Sequence, residues 1–105
     1  MKVKKDASIA NCRAPILRAL IWIEPLFVSR NVELVVTSGT GEKHSAERSG
    51  HYRGDGVDIR SRTVPADQRQ TLAKAIRRKL GSAYVVILES NHYHIHWSPT
   101  LGTMV

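Results

Sequence analysis

Apolar residues recur at helical spacing in the first third of the chain. Ile16, Leu20, Ile23 and Phe27 fall three or four apart, the period of one helix face, and Pro15 suits a first turn, where its missing N–H costs nothing. The pattern predicts a core helix opening at Pro15, with Trp22 packing on it. Pro25 should kink or end that helix, because a helix interior needs the donor that proline lacks. Residues 32–36, "VELVV", are short and β-branched and predict a strand. A second helix is expected from Pro65. Leu72, Ile76 and Leu80 line one face, Asp67 sits in the first turn, Arg77, Arg78 and Lys79 sit in the last, and Gly81 closes it. The basic residues of that last turn are read as a solvated face that complements the helix dipole.

Three further strands are expected: one beginning in "GVDIRS" from residue 56, "AYVVILE" over 83–89, and the alternating "HYHIHW" over 92–97, with Ser90 and Asn91 as a short hinge. The order is helix, strand, long loop, strand, helix, strand, strand. It predicts an α+β fold with a small, mostly antiparallel sheet and two helices. The segment from Thr37 to Gly56 is too polar for core and too long for an idle turn, which marks it as functional. Residues 1–13 read as a flexible basic arm on a single domain spanning 1–105.

Composition narrows the classes. With 42% hydrophobic and 24% charged residues, the chain reads as a folded globular protein. The lone Cys12 cannot form an internal disulfide, and nothing around it marks an activated nucleophile, so it is read as a buried or tolerated thiol. Lys and Arg outnumber Asp and Glu by 16 to 9, for a formal charge of +7. That surface attracts polyanions, whether nucleic acid, an anionic cell wall or an acidic membrane face. The longest apolar stretch is broken by Arg18, Glu24 and Pro25, so no membrane span is expected, and no secretory signal is expected either. Synthesis in the cytoplasm is the expectation, with any extracellular target reached after lysis or injection, or as part of a virion.

The candidate chemistry lies in two places. In an extended strand alternate side chains share a face, so His92, His94 and His96 project to one side and Tyr93, Ile95 and Trp97 to the other. A row of imidazoles facing a cleft can bind a metal, a substrate or water. Upstream, "SGHYRGDGVD" over residues 49–58 sets His51 and Asp58 seven apart among glycines, of which Gly54 and Gly56 permit close backbone approaches. Zinc takes nitrogen and carboxylate oxygen ligands, and a catalytic site supplies three and leaves a fourth position for water. His51, Asp58 and one histidine of 92–96 could form such a set.

These residues resemble a family. Ser49, His51, Gly54, Gly56 in an alanine position, and Asp58 follow the Ser-x-His, Gly-x-Ala-x-Asp pattern of zinc D-alanyl-D-alanine carboxypeptidases and dipeptidases, whose fold is shared with the hedgehog signalling domain and several phage endolysins. "VVTSGT" looks like the family's strand ending in Ser-Gly, and "ESNHYHIHW" looks like its closing strand. The resemblance runs from about Val35 to Trp97. It implies a hedgehog/DD-peptidase fold and one Zn2+ per chain, held by His51, Asp58 and a third histidine. The preferred third ligand is His94, because "ESNHYH" resembles the Glu-x-x-His-x-His of small phage-encoded relatives; the acid-x-x-His spacing of carboxypeptidase relatives points instead to His92, and His96 stays open. Glu89 is implied as the general base, taking a proton from zinc-bound water and returning it to the leaving amine. Many members carry an arginine just after the Ser-Gly. Here the stretch reads "SGTGEKH", which leaves Ser49, His44 and Arg53, with Lys43 and Arg48, as candidates to hold the substrate.

The leading expectation is a zinc metallopeptidase cutting a peptide bond in peptidoglycan, of carboxypeptidase or endolysin type and phage-encoded, adsorbed to the anionic cell wall by its charge. One alternative is a catalytically silent zinc-stabilised binding domain. Another is a basic nucleic-acid-binding module, which charge alone supports, without a helix-turn-helix signature, a zinc-finger spacing or a stacking platform.

Overall fold

The structure is a computed structural model and describes residues 1–39 and 54–99. Within them the chain is α+β: two helices pack on one face of a five-stranded mixed sheet. The strands are β1 (Lys2–Val3), β2 (Val35–Ser38), β3 (Gly56–Arg60), β4 (Tyr84–Leu88) and β5 (His92–Trp97), in the spatial order β1-β2-β3-β5-β4. β1 pairs parallel to β2, and the other neighbours pair antiparallel. Helix α1 spans Ala14–Val28, and α2 spans Arg69–Leu80 after a 3-10 turn at Ala66–Gln68.

The buried stripe of α1 is Ile16, Ala19, Leu20, Ile23 and Phe27, as its spacing requires. Pro25 does not end the helix, which continues for three residues to Val28. Carbonyls at a helix end lack intrahelical donors, and that of Leu26 is satisfied instead by Ser29 Oγ and Arg30 Nη1, which both donate to it, while Asn31 adopts the left-handed conformation common after a helix end. Trp22 lies off the buried stripe. It is 41% exposed, and the Arg18 guanidinium sits 5.4 Å from its ring centroid. α2 buries Leu72, Ala73, Ile76 and Leu80 and stops at Gly81, whose φ of 82° suits a residue without a Cβ.

The core lies between the helices and the inner face of the sheet, where Val36, Val57, Ile59, Val86, Tyr93 and Ile95 meet the two helical stripes. Tyr93 is its largest fully buried side chain; its ring meets Phe27 edge-on at 6.2 Å, and its hydroxyl donates to the Arg69 carbonyl. An edge-on pair of this kind contributes roughly 0.5–1.5 kcal/mol beyond the area it buries.

The first thirteen residues correct the expectation of a flexible arm. Lys2 and Val3 form the edge strand, with the Lys2 and Lys4 amides donating to the carbonyls of Leu34 and Val36. Cys12 is buried in the core. Arg13 donates its amide to the Gly54 carbonyl, ion-pairs with Asp55 at 3.2 Å and lies over the Trp97 ring. Gly54 has φ +80°, and a Cβ there would collide with the Asn11 carbonyl oxygen. The segment is polar in composition, yet its backbone and Arg13 clamp the entry to β3. The strand expected at 32–36 is likewise shifted, to Val35–Ser38, because β1 pairs with Val35 and Val36 while Val32 and Leu34 pack into the core outside the ladder.

Burial pushes the Tyr93 hydroxyl up to about 12, against the opposing pull of the Arg69 and Arg30 charges. The unfolded phenol ionises near 10, so between those values the unfolded chain loses a proton that the folded chain keeps. The contribution of Tyr93 to stability is therefore complete below pH 10 and declines as pH climbs towards 12. Urea midpoints taken from pH 9 to 12 should fall more steeply for the wild type than for Tyr93→Phe; parallel curves would contradict the assignment.

Candidate functional site

The register of β3 against β5 builds the site. Gly56 lies opposite His96, Asp58 opposite His94 and Arg60 opposite His92, while Val57 and Ile59 lie opposite Ile95 and Tyr93. Because side chains alternate, the second set turns into the core and the first set shares the outer face. The expected histidine ladder is thus present: Tyr93 and Ile95 are fully buried, and the three histidines are part-exposed. Asp58, expected at the start of a strand, stands in the middle of that polar face. On the far side of β3, the register of β2 slips between Val36 and Ser38, which sets Ser38 opposite Asp58. The Thr37 hydroxyl donates to the Asp58 carbonyl at 3.4 Å.

Residues Ser90 and Asn91 form the turn of a β4–β5 hairpin. The Glu89 amide donates to the His92 carbonyl at 2.8 Å across that turn. Residues flanking a two-residue turn pair directly and point to the same face. That is the physical content of the Glu-x-x-His spacing: the two intervening residues are the turn, and the carboxylate and imidazole become neighbours. His92 Nε2 is 3.7 Å from Glu89 Oε1 and 3.6 Å from Asp58 Oδ1.

Oxygen acceptors place a proton on Nδ1 of both His92 and His94. His92 Nδ1 is bonded to the Asn91 amide oxygen, which only accepts, so Nδ1 is the donor there, and Nε2 faces the two carboxylates. His94 is held differently. Its Nδ1 donates to Asp58 Oδ1 at 3.0 Å, and its Nε2 is 3.0 Å from His96 Nδ1, so both of its nitrogens are engaged. Asp58, His94 and His96 form a continuous chain of hydrogen bonds along the outer face, with the His94 and His96 rings tilted at 54°.

Two ligands about 2.0–2.2 Å from a tetrahedral ion stand roughly 3.3 Å apart. The Asp58–His94 and Asp58–His92 separations of 3.0 and 3.6 Å fall on either side of that value, and the donor types, carboxylate oxygen and imidazole nitrogen, are those zinc accepts. Among the described residues no group of three or more His, Cys, Asp or Glu side chains is gathered to hold an ion. His51, Ser49, His44, Arg53, Lys43 and Arg48 lie outside the described residues. The contacts observed are pairwise: Asp58 with His92 and His94, Glu89 with His92, and His94 with His96.

Two features went unseen in the sequence. Asn91 orients His92, which only the turn makes apparent. A cavity of about 340 Å³ also opens beside His92, lined by Lys4, Thr37, Arg60, Arg62, Asn91 and His92. Lys4 and Arg60 lie 56 residues apart in the chain, and no local pattern could have joined them.

No family model, curated protein or solved structure matches the chain. Among the described residues no helix is long and apolar enough to cross a membrane.

The proton assignment is directly measurable. Long-range proton–nitrogen correlation spectra of the metal-free protein should show His92 with its proton on Nδ1, and Asn91→Ala should shift the ring towards the Nε2-protonated form. An unchanged tautomer in the variant would contradict the role given to Asn91.

Proposed function

We propose that the chain is a zinc-dependent metallopeptidase that hydrolyses an amide bond in peptidoglycan, with His51, Asp58 and His92 holding the ion and Glu89 acting as general base. The observation that carries this reading is the environment of His92: Nδ1 is tied to Asn91, and Nε2 stands within 3.7 Å of both Asp58 and Glu89. A ligating histidine characteristically gives its other ring N–H to an oxygen acceptor, which sets both tautomer and orientation. His92 is held in that way. His94, first expected as the third ligand, meets the same condition through its Nδ1–H bond to Asp58, with its Nε2 3.0 Å from His96 Nδ1, and stays the alternative third ligand.

Bound between these groups, zinc would supply a Lewis acid and lower the pKa of its water to about 7. The steps that fall to the chain are positional and protolytic. Glu89 stands at the mouth of the site, with its side chain about half exposed, where it can take a proton from the attacking water and deliver it to the departing amine. Asp58 is fixed by the His94 Nδ1–H bond and by the strand pairing on both sides of β3. The resemblance of "SGHYRGDGVD" and "ESNHYH" to zinc D-alanyl-D-alanine peptidases supports the substrate class and the hedgehog/DD-peptidase reading of the α+β fold. The formal +7 charge supports adsorption to an anionic wall after lysis or from a virion.

The proposal is tested by metal analysis of the purified protein together with digestion of purified peptidoglycan, with and without chelator. One zinc per chain and chelator-sensitive release of peptides are expected. Glu89→Gln should retain the zinc and lose about 10²–10⁴-fold in turnover, which separates an enzyme from a zinc-stabilised binding domain. His92→Ala should lose the metal, and His94→Ala should weaken it less. Full zinc binding and turnover in His92→Ala would refute the ligand assignment.

A further inference from the structure

We infer that the cavity beside His92 is a subsite for a substrate group carrying two or more negative charges, a phosphoryl group or a pair of carboxylates. Lys4, Arg60 and Arg62 contribute three cationic side chains to its wall, and among the described residues no carboxylate lines it. Among the described residues none of the three forms an ion pair, whereas Arg13 is matched by Asp55. Their placement is structural. Arg60 ends β3 on the outer face opposite His92, Arg62 follows it by two residues, and Lys4 is delivered by the parallel pairing of β1 with β2. The Arg62 carbonyl accepts from Arg69 Nη2, which anchors the backbone that carries it.

Like charges gathered without a counter-ion repel one another, and an anion seated among them removes that repulsion while gaining charge-assisted hydrogen bonds. A single carboxylate is satisfied by one bidentate arginine. Three cations and the Asn91 amide N–H groups exceed its needs and match a multiply charged oxyanion. A volume of about 340 Å³ admits such a group with its attachment. Because His92 and Asn91 belong to both this wall and the proposed metal site, an anion held here would set the register of the rest of the substrate at Glu89. This last step rests on the hydrolase reading, but the binding of the anion does not.

The test uses the full chain at fixed ionic strength, before and after chelator treatment, titrated with phosphate, malonate and acetate and followed by calorimetry and by arginine and histidine NMR signals. Phosphate or malonate should bind at least about ten-fold more tightly than acetate, shift the Arg60, Arg62 and His92 resonances and be insensitive to chelator. Whichever dianion binds more tightly identifies the group. Arg62→Gln, at an exposed position, and Arg60→Gln should each weaken binding several-fold, with thermal midpoints recorded to confirm folding. No binding by the wild type, equal binding of acetate, loss of binding on chelation or unchanged affinity in both variants would overturn the subsite. Anion binding that persists in a protein lacking zinc and turnover would refute the hydrolase reading and leave the subsite standing.

Discussion

The pairing of β3 with β5 is the constraint on which the rest depends. A one-residue slip would turn every side chain of one strand to the opposite face, carrying Asp58 or the histidines into the core and Val57 or Tyr93 out of it. Burial resists that slip. Val57, Ile59, Tyr93 and Ile95 are all fully buried, and each would contribute on the order of 1.5–3 kcal/mol less if exposed. The polar face is thus held in register by the apolar one. Asp58 meets the histidine row because its neighbours on either side must stay inside.

Two local devices then refine that face. A two-residue turn makes neighbours of Glu89 and His92, and its second residue binds the imidazole and sets its tautomer. The slip in β2 places Ser38 and the Thr37 hydroxyl against Asp58. On the other side of the sheet, Arg13 and Gly54 lock the N-terminal segment onto the entry to β3, so the strand that carries Asp58 is held at its beginning as well as along its length.

Local periodicity made much of this legible. The stripes of both helices and the alternation of "HYHIHW" follow from residues close in sequence, and those readings agree with the elements observed. What escaped depends on distant partners. Lys2 and Val3 are strand only because Val35 and Val36 lie beside them, and a two-residue edge strand has no period of its own. The partners of the His92 and His94 ring nitrogens likewise depend on a turn and a cross-strand contact. The cationic cavity joins Lys4 to Arg60 across the sheet. His51, central to the proposed set, lies outside the described residues, so the sequence pattern alone bears on it.

The proposed convergence of two imidazoles and one carboxylate on a single ion is most directly tested by zinc K-edge X-ray absorption on the purified, zinc-loaded protein. Four light scatterers at about 2.0–2.1 Å, two of them with the outer-shell signature of imidazole, and the loss of one imidazole in His92→Ala, are the predicted result. A sulfur shell near 2.3 Å from Cys12, a spectrum without imidazole, or a protein that retains no zinc would contradict the account.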